Sequence, residues 1–312
     1  LVPGFMKSTG DKVNGPPGAG SRDLAEEILS GEIDPGVFLS IGPAPIKKLF
    51  RTRRASFAMS LATDPLVVAY SPNSPKAPLL NAIARQRAPL SSLFSLLGSP
   101  GFTLARTDPN ADPQGAFFEL MMHLAERTLK LPAGTADRIL GTHPGDSVGA
   151  TSQVFAETAL PSLIASGSVD AGSAYLSQAL QYDLSYIRLP SSLDFSDPAQ
   201  LATYRSVAIK LSNGAVVRGG LVSLDATLVS PPGGSAASTA TASAGREPGD
   251  DDADRSFLGW LLSGSARRDL GLHGYELERP RLELAKGRSA SGVLPSEVLA
   301  AFDKLHGTSA VS

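Results

Sequence analysis

The chain has 312 residues, of which 42% are hydrophobic, and a formal net charge of −2. It can therefore bury the cores of about two domains, and it lacks the basic excess of a protein that coats nucleic acid. It contains no cysteine, which excludes disulfide frameworks, zinc–cysteine sites and thiol nucleophiles, and no apolar run approaches the ~20 residues of a membrane-spanning helix.

The first residue is Leu1, and the chain reads as a fragment or processed form, so any signal peptide or lipid anchor is expected upstream. The spacing of apolar residues predicts a helix over Ser21–Ser30, with Leu24, Ile28 and Leu29 on one face and Ser21 as its N-cap. A short buried strand follows at 37–39. The basic run Arg51-Thr52-Arg53-Arg54 reads as a solvated loop or helix end. Leu66–Tyr70 is a strand ended by Ser71-Pro72, and 113–129 an amphipathic helix with Phe117, Leu120, Met121 and Leu124 inward. A helix over 158–166 leads into a strand at Ala171–Tyr175. Two more strands, 207–211 and 220–229, are joined by the turn signal Asn213-Gly214. Residues 230–255 turn to Pro, Gly, Ser, Ala and Thr and end in Asp250-Asp251-Asp252, the composition of a mobile surface insertion without the spaced ligands of a calcium loop. An apolar helix resumes at 257–262. Alternating strands and helices make the class α/β.

Three helix starts attract attention. Gly15-Pro16-Pro17-Gly18-Ala19-Gly20-Ser21 opens like a phosphate-binding P-loop, but Ser21-Arg22 stands where that motif needs Lys and then Ser or Thr, so nucleotide hydrolysis is not expected. A glycine-rich turn entering a helix still presents backbone N–H groups and the positive end of the helix dipole to an anion. Asp112-Pro113-Gln114-Gly115 is a second such start, with Asp as N-cap and Pro at the first helical position, and a third lies at Glu157. Helix N-termini converging on one point could hold an anion without a basic side chain. Catalytic candidates are few. His123, His143, His273 and His306 lack metal-ligand spacing, no G-x-S-x-G elbow occurs, and no carboxylate pair can be singled out for acid–base work, so no enzyme activity is expected.

The run from Arg106 to Gly115 closely resembles the R-[ST]-D-P-x-x-D-P-x-G segment of the molybdate/tungstate-binding proteins, receptors of ABC importers. Further segments match in the same order: Gly18-Ala19-Gly20-Ser21, Val37-Phe38-Leu39-Ser40, Val67-Val68-Ala69-Tyr70-Ser71-Pro72, Leu163-Ile164-Ala165-Ser166-Gly167-Ser168-Val169-Asp170-Ala171, Leu189-Pro190 with Leu193-Asp194-Phe195-Ser196-Asp197-Pro198, and the stretch from Phe257 to Gly274. The resemblance implies a type II periplasmic-binding-protein fold, α/β, with two lobes and a ligand cleft between them. Residues 1–65 and 205–312 would form the first lobe, with 230–255 a disordered insertion, and 66–204 the second. The ligand would be molybdate or tungstate, with no cofactor. The partner would be an ABC permease, the protein a monomer, and the location periplasmic or extracellular.

Carried over by position, Ser21 would donate its hydroxyl and backbone N–H, Asp112 would stand close to the metal centre of the oxyanion, Gln114 and Glu157 would each give a backbone N–H, and Tyr175 a phenolic hydrogen bond. Two departures are visible. Ala174 occupies the place of a glutamate that supplies a second carboxylate in tungstate-type receptors. The family's opening strand and Ala-Gly-Ser turn lie before the point where this chain begins, and without them the first lobe would lack a core strand and one side of the pocket. These departures also keep in view a non-transporting paralogue with altered or lost anion binding, acting as an interaction or sensor protein.

Overall fold

The computed structural model describes residues 1–13, 20–141, 152–231 and 250–307. The glycine-rich run at 15–19, His143 and the central part of the expected insertion, 232–249, lie outside the described residues. The chain divides into two compact units, Leu1–Thr63 with Ser223–Ser312, and Asp64–Val222.

The first unit opens with helices α1 (Val2–Thr9) and α2 (Ser21–Ser30), strand β1 (Val37–Ile41), helix α3 (Ala44–Arg51) and strand β2 (Phe57–Thr63). Ser21 is not the N-cap of α2. Gly20 holds that position, with extended backbone angles, and Ser21 is the first helical residue. Its hydroxyl oxygen accepts the N–H of Ile41 at 3.0 Å, tying the helix start to the end of β1.

The second unit runs through β3 (Leu66–Tyr70), α4 (Ala77–Ala84), α5 (Ser91–Leu97), β4 (Leu104–Arg106), α6 (Pro113–Thr128), α7 (Thr135–Leu140) and β5 (Ser152–Val154). After a 3-10 turn at Glu157–Ala159 come α8 (Leu160–Ser166), β6 (Ala171–Tyr175), α9 (Leu176–Gln181), β7 (Ser185–Arg188), α10 (Leu201–Tyr204), β8 (Ala208–Lys210) and β9 (Val216–Arg218). Five strands form one sheet in the order β5-β4-β6-β3-β7. Strands β4, β5 and β6 run parallel, while β3 is antiparallel to β6 and β7. One face of this sheet packs on α8 and α9 through Val67, Ala69, Ala105, Ala174, Leu160, Ile164, Leu176 and Ala179.

Helix α6 is the long element of this unit. Asp112 caps it by accepting the Gln114 N–H at 2.9 Å, and Pro113 follows with a φ already suited to a helix. Leu120, Met121 and Leu124 are buried as their spacing predicts, but so are Phe118, Met122 and Ala125. Phe117 is only half-buried and meets Phe195 edge-on, with ring centroids 5.3 Å apart. A helix enclosed on nearly all sides loses the one-face pattern from which its inward residues were read.

Asn213-Gly214 does make a hairpin, with Gly214 at φ 82, but the turn joins β8 to β9, a short strand with an exposed–half-buried–exposed pattern. Residues 205–222, expected in the first lobe, therefore fall in the second unit. The hairpin is held there by the Arg127 guanidinium of α6 donating to the Ser206 carbonyl at 2.7 Å, and by the Ser212 N–H donating to Asn110 Oδ1 at 2.8 Å.

The chain then returns to the first unit as β10 (Ser223–Leu228), α11 (Asp250–Leu261), α12 (Gly264–Leu272), β11 (Arg281–Leu284), α13 (Ala290–Val293) and α14 (Ser296–His306). Helix α11 begins at Asp250, so the last residues of the expected insertion are helical. The sheet order is β1-β10-β2-β11, with every neighbouring pair antiparallel. Alternation along β2 sends Phe57, Met59 and Leu61 into one cluster with Phe5, Leu258, Leu261 and Val298. Ala58 joins Ala25, Ile28, Phe38, Ile46 and Leu49 in a second. No described helix is long and apolar enough to cross a membrane.

Candidate functional site

The second unit sets several polar groups beyond the C-terminal ends of its parallel strands. Asp112 follows β4, Glu157 follows β5, and Tyr175 is the last residue of β6. In open α/β sheets this edge is where ligands bind, because loops and helix N-termini gather there.

The geometry at this edge is tight. Asp112 is 8% exposed, Tyr175 4%, and Gln114 and Ser173 are fully buried. The Asp112 N–H donates to the Asp108 carbonyl at 2.8 Å, so the segment after β4 is folded back on itself before the helix starts. The Gln114 N–H, expected to face an anion, is instead donated to Asp112 Oδ1. The Gln114 side chain makes two further bonds: Ser173 Oγ donates to its Oε1 at 2.9 Å, and its Nε2 donates to Gln178 Oε1 at 3.0 Å. These links join α6 to β6 and α9.

Asp64, at the entrance to β3, is fully buried. It accepts the Ser177 N–H at 3.1 Å and the Ser177 hydroxyl at 2.5 Å, closing the start of α9 just beyond Tyr175. The carboxyls of Asp64 and Asp112 act together on Glu157. Burial, then the charge of Asp112, then that of Asp64, push the Glu157 carboxyl up to about 7. Near neutrality Glu157 therefore exchanges between a carboxylate, which repels an anion, and a carboxylic acid, which can donate a hydrogen bond to one. Among the described residues no group of His, Asp and Glu is arranged to hold a metal ion.

A folded-state pKa above the ordinary glutamate value means that the native state holds its proton more tightly than the unfolded chain does. That contribution is complete below about 4.5 and is lost as the pH rises through about 7. Thermal unfolding of the wild type should accordingly move to lower temperature across this window, and Glu157→Gln, which cannot ionise, should flatten the slope. Parallel slopes for the two proteins would mean that Glu157 titrates as an ordinary surface glutamate.

Ala174 is 1% exposed and belongs to the apolar cluster with Val67, Leu160 and Ile164. Ser173, beside it in β6, bonds instead to Gln114 of α6. Alternation along the strand thus puts Ala174 and Ser173 on opposite faces, and methyl packing fills the position where the resembled family carries a carboxylate. In the first unit Ser21 is half-buried, and its hydroxyl proton is not consumed by the bond it accepts from Ile41.

Sequence reasoning missed Asp64, Ser173, Ser177 and Gln178. The one local signal was Asp64-Pro65 directly before a buried strand. The other three became visible only when the strands were assembled.

The model of a family described as bacterial extracellular solute-binding protein matches residues 1–276. Among curated proteins the chain is similar to a putative ABC transporter molybdenum-binding protein of Haloferax volcanii, 30% identical over 209 residues, covering 67% of this chain and 62% of that one. It is also similar to the molybdate/tungstate-binding protein WtpA of Thermococcus kodakarensis, 28% identical over 176 residues, covering 52% of this chain and 48% of that one. The matched region thus spans less than two thirds of either relative. Among solved structures, the Azotobacter vinelandii periplasmic molybdate-binding protein superimposes with a TM-score of 0.55 at 18% identity, covering 89% of this chain and 92% of that one. At that identity the likeness speaks for the fold.

Proposed function

This chain belongs to the bacterial extracellular solute-binding proteins, and from that premise we propose that it captures a tetrahedral oxyanion of the molybdate or tungstate type outside the cytoplasmic membrane and delivers it to an ABC-type permease. Its fold is the α/β architecture of periplasmic solute-binding proteins, in two units that each carry a sheet. Similarity to a putative molybdenum-binding protein and to a molybdate/tungstate-binding protein supports the choice of ligand.

The observation that carries the reading is the gathering of Asp112, Glu157 and Tyr175 at the C-terminal edge of three parallel strands. In this reading Tyr175 donates its phenolic proton to an anion oxygen. The backbone N–H at the Glu157 turn and the protonated Glu157 carboxyl add donors, and Asp112 stands beside the anion centre. The Gln114 N–H is left out of the donor set, because Asp112 already takes it. Groups fixed by the fold need no reorganisation when the ligand arrives, so such donors can stabilise a dianion without a neutralising Lys or Arg.

Calorimetric titration with molybdate, tungstate and sulfate tests the proposal. One-to-one heat with molybdate or tungstate is expected, and silence for all three overturns it. With the binding anion identified, Tyr175→Phe should weaken affinity by about 1–2 kcal/mol, the worth of one hydrogen bond to a charged acceptor. Unchanged affinity would remove Tyr175 from the site.

A further inference from the structure

Gln114 is fully buried, and its side chain spends its bonds inside the fold. The carboxamide accepts from Ser173 Oγ at 2.9 Å and donates to Gln178 Oε1 at 3.0 Å, while its main-chain N–H is held by Asp112 at 2.9 Å. Ser173 lies two residues before Tyr175 and Gln178 three residues after it. One residue therefore ties the Asp112 cap of α6 to the chain on both sides of Tyr175.

We propose that Gln114 is a positioning residue for anion binding, whose buried carboxamide fixes the Asp112 carboxylate and the Tyr175 hydroxyl relative to each other. The inference rests on the reading of Asp112 and Tyr175 as anion-contacting residues. A carboxamide suits the task because it offers an acceptor and a donor from one rigid planar group, and both are used here. Glutamate would present only acceptors when ionised and would add a charge next to Asp112. Asparagine is one methylene short. An apolar residue of similar length, such as methionine, would fill the space but leave Ser173 and Gln178 without this link. In each case the start of α6 and the end of β6 could slide by a fraction of an ångström, which a preorganised site does not tolerate.

The test is a double-mutant cycle read by calorimetric titration of the whole chain with molybdate and with sulfate. Gln114→Met retains the main-chain bond to Asp112 and removes both side-chain bonds. It should weaken molybdate binding by roughly ten-fold, about the effect of one lost hydrogen bond. The ratio of molybdate to sulfate affinity should change as well. General destabilisation would scale both anions alike, whereas displaced donors would not. In a Tyr175→Phe background the effect of Gln114→Met should shrink to less than about three-fold, because the group being positioned is already gone. Additive effects in the cycle, or an unchanged affinity ratio, overturn the proposal. Should Gln114→Met fail to fold, Ser173→Ala and Gln178→Met each remove one of the two bonds, and the same shift in ratio is expected of both. If the wild type binds neither anion, the reading of the site itself falls. If the wild type binds and Gln114→Met binds identically, only the positioning role falls.

Discussion

A Glu119→Gln protein is expected to lose about 3–5 kcal/mol of folding stability, the usual result of leaving a buried charge without its counter-ion. Glu119 on α6 and Arg106 at the end of β4 are 8% and 7% exposed, and Arg106 Nη1 stands 3.0 Å from Glu119 Oε1. The guanidinium also donates to the carbonyls of Thr107 at 3.4 Å and Leu140 at 3.3 Å, joining β4 and α7 to the middle of α6. Burial raises the Glu119 carboxyl above its ordinary range and lowers the Arg106 guanidinium, and in each case burial outweighs the attraction of the partner. The pair is thus costly to assemble and more costly to break. Urea unfolding separates these two statements. Glu119→Gln and Arg106→Met should each be strongly destabilised, while Arg106→Met with Glu119→Leu should lie closer to the wild type than either single variant. A Glu119→Gln protein within about 1 kcal/mol of the wild type would mean that water screens the pair.

Arg106 illustrates how far this sequence could be read. It opens the Arg-Thr-Asp-Pro run that carried the family resemblance, yet its partner Glu119 lies on α6 beyond Gly115, where that run ends. The resemblance identified the segment without disclosing that its arginine works inside the fold. Strand β3 was legible as an unbroken apolar run ended by Ser71-Pro72, and helix α6 from its capped start and the spacing of Leu120, Met121 and Leu124. Strand β9 was not legible, since three residues with one half-buried side chain carry no period, and the hairpin turn was consequently assigned to the wrong strand pair. The helix start at Asp112 was legible from capping chemistry, whereas the start at Glu157 is a 3-10 turn with no side-chain cap. The raised pKa of Glu157 was not legible, because it comes first from burial and then from the charges of Asp112 and Asp64, which the assembled fold brings together. The cap of α2 was placed one residue late, at Ser21 and not at Gly20. A glycine can cap a helix with its backbone alone, and the serine hydroxyl that advertised a cap was needed by β1.

Gly115→Ala sets two expectations of opposite sign against each other. Gly115 lies in the first turn of α6, and helix propensity alone would make alanine stabilising by roughly 1 kcal/mol. A Cβ at Gly115, however, would stand 2.4 Å from the Thr107 carbonyl oxygen and 2.8 Å from both the Thr107 carbonyl carbon and the Pro109 nitrogen. All three are backbone atoms and cannot rotate aside. Either the 107–112 segment must lift away from the helix or the first turn must unwind, and overpacking of this kind costs about 3 kcal/mol, enough to reverse the propensity gain. The consequence reaches the proposed binding edge, because Asp112 rides on that segment through its bond to the Asp108 carbonyl and caps the same turn. Gly115→Ala should therefore unfold at lower urea and, on the proposed function, lose most of its oxyanion affinity. A variant more stable than the wild type would mean that the segment yields freely, and such a segment could not hold Asp112 in the fixed position that anion capture by preorganised groups demands.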